Sequence, residues 1–175
     1  NYIDIIYHYK PNRKLQTLTK VDILQYWSKI IDDLHKISLS MAILELTDRT
    51  LSENDSHPEL FTILVNLFQS YNDKCEDPNL LFWFYECALL THLGFRPSLQ
   101  EYNLPGLHLP DPNSGPHSGL ILASLFSGDI KNLPSEKITK VDRKIINNYL
   151  WLSLCYHFEN LHDIKSMKIA KKLLI

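Results

Sequence analysis

The chain has 175 residues, 45% of them hydrophobic, and 18 Lys and Arg against 20 Asp and Glu give a net charge of −2. A chain of that size can bury about 70% of its unfolded surface, so a disulfide framework or metal is not needed to hold it together. Cys75, Cys87 and Cys155 are isolated, which excludes a paired-cysteine scaffold and suits a reducing, cytosolic setting, and no signal peptide, basic targeting arm or membrane span is visible.

The opening residues, NYIDIIYHYK, lack a start methionine and begin in mid-pattern, as a piece of a longer chain would. Tyr2, Ile3, Ile5, Ile6, Tyr7 and Tyr9 favour a strand, Lys10-Pro11-Asn12-Arg13 a turn, and Leu15, Thr17 and Thr19 a second short strand. A lone hairpin is barely stable in water, so these residues are expected to end a sheet or barrel begun upstream. Thr19-Lys20-Val21-Asp22 reads as a helix-capping start, with Leu24, Trp27, Ile31 and Leu34 at helical spacing and helix resuming through Met41, Leu44 and Arg49. Ser56-His57-Pro58-Glu59 reads as a second capping box, followed by Leu60, Leu64, Leu67, Phe68 and Tyr71 on one face.

Residues 77–97, DPNLLFWFYECALLTHLGFRP, carry their own start and stop signals. Asp77 is a good N-cap, Pro78 suits the first helical position, Gly94 suits a left-handed residue after the last turn, and Pro97 blocks continuation. The run between is apolar almost all round, with Glu86 its single acid, and falls short of the roughly 20 apolar residues a bilayer span needs. It is therefore expected to be the buried rod of a mainly α domain. Residues 97–118, with five prolines, read as a loop or crossing strand. Thr139-Lys140-Val141-Asp142 caps a helix running through Ile145, Ile146, Leu150, Leu152 and Tyr156, and a last helix covers Asp163 to Leu174.

Charge is unevenly spread. Acids dominate between Glu45 and Glu86, while Lys10, Arg13, Lys14 and Lys20 gather at the first turn. Lys140, Arg143 and Lys144 open the penultimate helix, and Lys165, Lys168, Lys171 and Lys172 dominate the last. Spacings of three and four put Lys165, Lys168 and Lys172 on one face, a stripe able to track phosphates or, more plainly, a solvated face near a helix C-terminus.

The segments YHYKPNRKLQTLTK, SLSMAILELTDRTL, HPELFTILVNLF, LLFWFYECALLTHLGFRP and HDIKSMKI, in that order, resemble the C-terminal part of the RecO family of bacterial recombination mediators. The family's helix ending Leu-Gly-Tyr/Phe-x-Pro is matched by Leu93, Gly94, Phe95 and Pro97, and its C-terminal Leu-Lys-Ser-like stretch by Ile164, Lys165 and Ser166. The resemblance implies an N-terminal OB-fold, of which residues 1–19 are the last strands, followed by a RecO-like helical domain over residues 20–175. It also implies binding of single- and double-stranded DNA, strand annealing, engagement of the tail of single-stranded DNA-binding protein, and action with RecR to load RecA, in the bacterial cytoplasm at the nucleoid. Lys10, Arg13, Lys14, Lys140, Arg143, Lys144, Lys165, Lys168 and Lys172 are the expected DNA contacts. Many relatives carry two Cys-x-x-Cys pairs after the Leu-Gly-Phe helix as a zinc site, but SLQEYNLPGLHLPDPNSGPHSG has no cysteine, and His108, Asp111 and His117 make a poor substitute. No cofactor is expected, and the loop is expected to be held by packing.

A buried Glu86 needs a partner, and Arg49 is the candidate for a structural pair, with a tyrosine hydroxyl or backbone N–H as the other option. No phosphate-binding glycine loop, Gly-x-Ser-x-Gly elbow or His-Glu-x-x-His helix is present, and Cys155 and His157 on one helix do not face each other, so no enzyme is expected. Phe82, Trp83, Phe84 and Tyr85 point in four directions and suit a core better than a base-stacking platform. Two classes stay open: a DNA- and tail-binding mediator module, and a helical protein-binding adaptor whose charges only solubilise it.

Overall fold

The computed structural model describes residues 1–73, 77–100, 103–128 and 137–173. In chain order these form β1 (Tyr2–His8), β2 (Thr17–Gln25), α1 (Ser28–Ile31), α2 (Leu34–Thr50), α3 (Pro58–Asn72), α4 (Pro78–His92), β3 (Asn103–Leu104), β4 (Leu107–His108), α5 (Ser118–Leu125), α6 (Lys140–His157), a 3-10 turn (Glu159–Asp163) and α7 (Lys165–Leu173). No helix among the described residues is long and apolar enough to cross a membrane.

Helix α4 organises the rest. Eleven of its fifteen residues are buried, on every side, because α2, α3, α5 and α6 all pack against it. Asp77 caps it through Oδ1, which accepts from Asn79 N at 3.0 Å. At the other end Gly94 adopts φ +80°, Phe95 N donates to Leu90 O at 2.8 Å and Gly94 N to Thr91 O at 3.1 Å, the paired bonds of a Schellman stop. Phe82, Trp83, Phe84 and Tyr85 lie in the core, so this quartet holds helices together and offers no face to bases.

The hairpin is longer than its sequence pattern indicates. Thr19-Lys20-Val21-Asp22 is strand, not a helix start: Val21 pairs with Ile5, Asp22 with Asp4, and Thr19 Oγ1 donates to Ile6 O at 2.8 Å. The strand-forming residues of β1 give this stretch a partner, and cross-strand pairing overrides the local capping preference. The hairpin thus runs to Gln25, beyond the boundary at residue 19, and helix starts only with the short α1 and then α2, capped by Asp33 through His35 N (2.9 Å) and Lys36 N (3.1 Å). Ile3, Ile5, Ile6, Leu18, Val21 and Ile23 are all exposed, so apolar side chains cover both faces of the hairpin. It meets the helical body at Tyr2, edge-on to Phe61 with ring centres 5.7 Å apart.

Two other boundaries move. Ser56 does not cap α3; the N-cap position falls on His57, whose side chain caps nothing and turns to His92, Nδ1 to Nε2 at 3.2 Å. Asp55 Oδ2 and Glu59 Oε2 stand 3.3 and 3.9 Å from the outer nitrogens of the two rings, tying the start of α3 to the end of α4. The last helix starts at Lys165, after the 3-10 turn, rather than at Asp163.

Candidate nucleic-acid and peptide interface

Helix α7 presents two opposed faces. Met167 and Ala170 are buried against the body, while Lys165, Lys168, Ile169 and Lys172 are exposed. Glu45 of α2 fixes its start: the carboxylate accepts from Lys165 N at 3.3 Å, from Ser166 N at 3.0 Å and from Ser166 Oγ at 2.5 Å. This cap crosses from one helix to another, and it brings negative charge to a helix N-terminus that begins with a lysine. Lys165 and Lys168 therefore stand in the first turn of α7, not near a C-terminus, and the stripe does not serve as a C-terminal dipole partner at these positions.

The hydrogen bond from the Ser166 side chain, then that from its backbone, holds the Glu45 carboxyl below the ordinary glutamate range. A folded carboxyl that binds its proton less readily than the unfolded one contributes stability above the ordinary value, lost as pH falls through the lowered folded value. Glu45→Gln keeps a capping oxygen and loses the charge, so it should cost about 0.5 kcal/mol in urea unfolding at pH 7, the worth of a carboxylate at a helix N-terminus. The gap between variant and wild type should close as the pH is taken below the usual glutamate range.

Beside the lysines, Ile37, Ser38, Met41, Ser166 and Ile169 line a groove of about 240 Å³ between α2 and α7. Met41 is 55% exposed and Ile169 58%, so the groove has an apolar floor open to solvent. With Lys165 and Lys172 one turn either side of Ile169, it combines an apolar slot with fixed positive charge.

At the hairpin turn Lys10, Arg13 and Lys14 are exposed. Gln16 shapes this turn: its Oε1 accepts from Lys10 N at 2.7 Å, and its Nε2 donates to Lys10 O at 3.0 Å and Arg13 O at 2.8 Å. Tyr7, Tyr9, Arg13, Lys14 and Asn54 help line a concavity of about 770 Å³ between the turn and the link from α2 to α3. Aromatic rings beside cations are the chemistry of a single-strand binding surface. Tyr7 and Tyr9 line this concavity although the sequence marks them only as strand formers; their alternation on one strand, next to a basic turn, was the available signal.

The remaining basic cluster divides. Lys140 and Lys144 project to solvent, but Arg143 turns inward, its Nη2 2.8 Å from Asp77 Oδ2 and its guanidinium 5.9 Å from the Trp83 ring centre. Arg143 thus joins α6 to the start of α4, and its charge is already matched. Arg49 is exposed on α2, where its field acts on Glu45, whereas Glu86 is 1% exposed inside α4. The ion pairs among the described residues do not include an Arg49–Glu86 couple.

The family model described as Recombination protein O C terminal matches residues 31–134, more than half of the chain. Among curated relatives, the DNA repair protein RecO of Exiguobacterium sibiricum is 31% identical over 121 residues, covering 69% of this chain and 48% of the relative. That of Salinibacter ruber is 26% identical over 57% of this chain and 38% of its own length, and that of Chloroherpeton thalassium 23% identical over 78% and 53%. The chain spans about half, or less, of the length of these relatives. A buried α4 with its Leu-Gly-Phe-x-Pro stop, inside a helical body that a family model matches over most of its length, places this chain in the RecO family, with that family's C-terminal region as its larger part.

Proposed function

We propose that this chain is the C-terminal part of a non-enzymatic recombination mediator in bacterial DNA repair, which binds DNA, promotes annealing and helps load RecA with RecR and single-stranded DNA-binding protein in the cytoplasm. The observation that carries this reading is the α7 surface, where three exposed lysines adjoin an apolar groove. Lysines spaced along one helix face can neutralise successive phosphates, releasing counterions and making affinity depend on salt. The groove beside them suits the tail of single-stranded DNA-binding protein, an acidic-apolar peptide whose side chains would enter between Met41 and Ile169 while its carboxylates meet Lys165 and Lys172. The hairpin turn, with Tyr7, Tyr9, Arg13 and Lys14, supplies a second contact for single strands.

The test is anisotropy of labelled single-stranded DNA, with this chain and with the longer protein, at two salt concentrations. Three phosphate contacts predict a fall in affinity of about 20-fold for a fourfold rise in salt. Changing Lys165, Lys168 and Lys172 together to Glu should flatten that slope and abolish most binding, while helical content stays unchanged. The exposed groove also favours a second reading, a protein-binding adaptor. Tail-peptide binding that Met41→Asp removes, with no salt-dependent DNA binding by either form, would select it and sink the mediator.

A further inference from the structure

The zinc site implied by the family resemblance does not fit the residues that follow α4. Residues 98–119 contain no cysteine, and no group of three or more His, Cys, Asp or Glu among the described residues is arranged to hold a metal ion. Of the remaining donors, His108 Nδ1 lies 3.0 Å from Asn103 Oδ1, and Asp111 Oδ1 accepts from Asn113 N at 2.8 Å in a local turn.

A side chain from another element closes the segment. Asp142 is fully buried at the start of α6. Its Oδ2 accepts from Thr139 N at 3.0 Å and Thr139 Oγ1 at 2.7 Å, while Asp142 N donates to Thr139 Oγ1 at 3.2 Å, completing the capping box of α6. Its Oδ1 reaches out of that box and accepts from His117 N at 2.8 Å, at the N-cap of α5. One carboxylate therefore caps two helices and pins the end of the loop between them. Gly115 makes this approach possible: a Cβ there would stand 2.7 Å from Asp142 Oδ1, 2.8 Å from Ser118 Oγ and 2.9 Å from Ile145 Cδ1. The same region is secured by Ser118 Oγ donating to Pro112 O at 2.5 Å and by Tyr149 OH donating to Ser98 O at 3.1 Å.

We infer that Asp142, seated over Gly115, is a metal-free clasp that fixes the segment after α4 against α6, the loop-holding role that the family resemblance gives to a zinc site. The charged state suits the role. Burial alone would raise the Asp142 carboxyl, but hydrogen bonds from Thr139, His117 and Ser118 outweigh it and hold the group below the ordinary aspartate range.

The experiment combines metal analysis with amide hydrogen exchange on this chain. Protein from zinc-supplemented cultures should carry substoichiometric zinc by mass spectrometry, and its melting temperature should not move with EDTA. Asp142→Asn should speed exchange at His117 and Ser118 by about tenfold, the loss of one charge-assisted hydrogen bond. Thr139→Ala, which removes the hydroxyl half of the α6 box and leaves the carboxylate with its bond from the residue 139 backbone, should keep those two amides protected. Should Asp142→Asn fail to fold, Gly115→Ala, which pushes on Oδ1 and leaves the carboxylate in place, should loosen the same amides. Stoichiometric zinc whose removal lowers the melting temperature would overturn the inference. So would unchanged exchange in Asp142→Asn, or equal loosening by Thr139→Ala.

Discussion

Trp83→Ala should cost about 3–5 kcal/mol, a large part of the roughly 5–15 kcal/mol that holds a domain of this kind folded. Trp83 is fully buried at the centre of α4. Its ring fills the space between α4 and α6, its Nε1 donates to Asn147 Oδ1 at 2.6 Å, and the Arg143 guanidinium lies over it. Truncation opens a cavity, removes the indole donor and takes the apolar support from the Arg143 ion pair. Urea unfolding followed by far-UV circular dichroism should show a midpoint shifted strongly downward with an unchanged slope. Trp83→Phe separates the contributions: it keeps most of the ring volume and loses the N–H, and should cost about 1–2 kcal/mol. An alanine variant within 1 kcal/mol of wild type would mean that α4 is not the centre of the fold.

Asp77→Ala should cost about 2 kcal/mol, because one side chain carries two roles. Oδ1 caps α4 through Asn79 N, and Oδ2 meets Arg143 at 2.8 Å with both side chains about one-fifth exposed (22% and 23%). The cap is worth about 1 kcal/mol. A half-buried, geometrically close ion pair adds a similar amount, more than an exposed pair because water screens it less. Asp77→Asn keeps the capping oxygen and loses the charge, so it should show only the second part. A double-mutant cycle with Arg143→Met should give a coupling of about 0.5–1.5 kcal/mol that survives added salt. Zero coupling would return Arg143 to the pool of free cations available to phosphates.

The central helix was legible because its determinants are local. Asp77, Pro78, Gly94 and Pro97 act on the backbone within a turn of themselves, and an apolar run with a single acid has to be buried wherever it sits. The interface was legible in part. The lysine spacing on α7 follows from helical periodicity, and the fold keeps all three lysines exposed. That Arg143 is taken by Asp77, 66 positions away, and that Glu45 caps a helix 120 positions downstream are matters of chain packing that no local pattern encodes. The groove escaped for the same reason, since its two walls, Met41 and Ile169, are far apart in the chain.

One tetrapeptide shows where the division falls. Thr-Lys-Val-Asp occurs at residues 19–22 and again at 139–142, with the same capping chemistry both times. At 139–142 the preference is realised, Thr139 and Asp142 cap α6, and the carboxylate has an oxygen to spare for His117. At 19–22 the same residues are strand, because β1 lies alongside and its ladder of hydrogen bonds outweighs one cap. The sequence by itself determined the family, the buried α4 and the mainly helical class, since these rest on short-range chemistry and on the sum of apolar side chains. Only the tertiary structure decided which caps formed, which cations stayed free and what closes the loop after α4, because each depends on a partner brought close by folding.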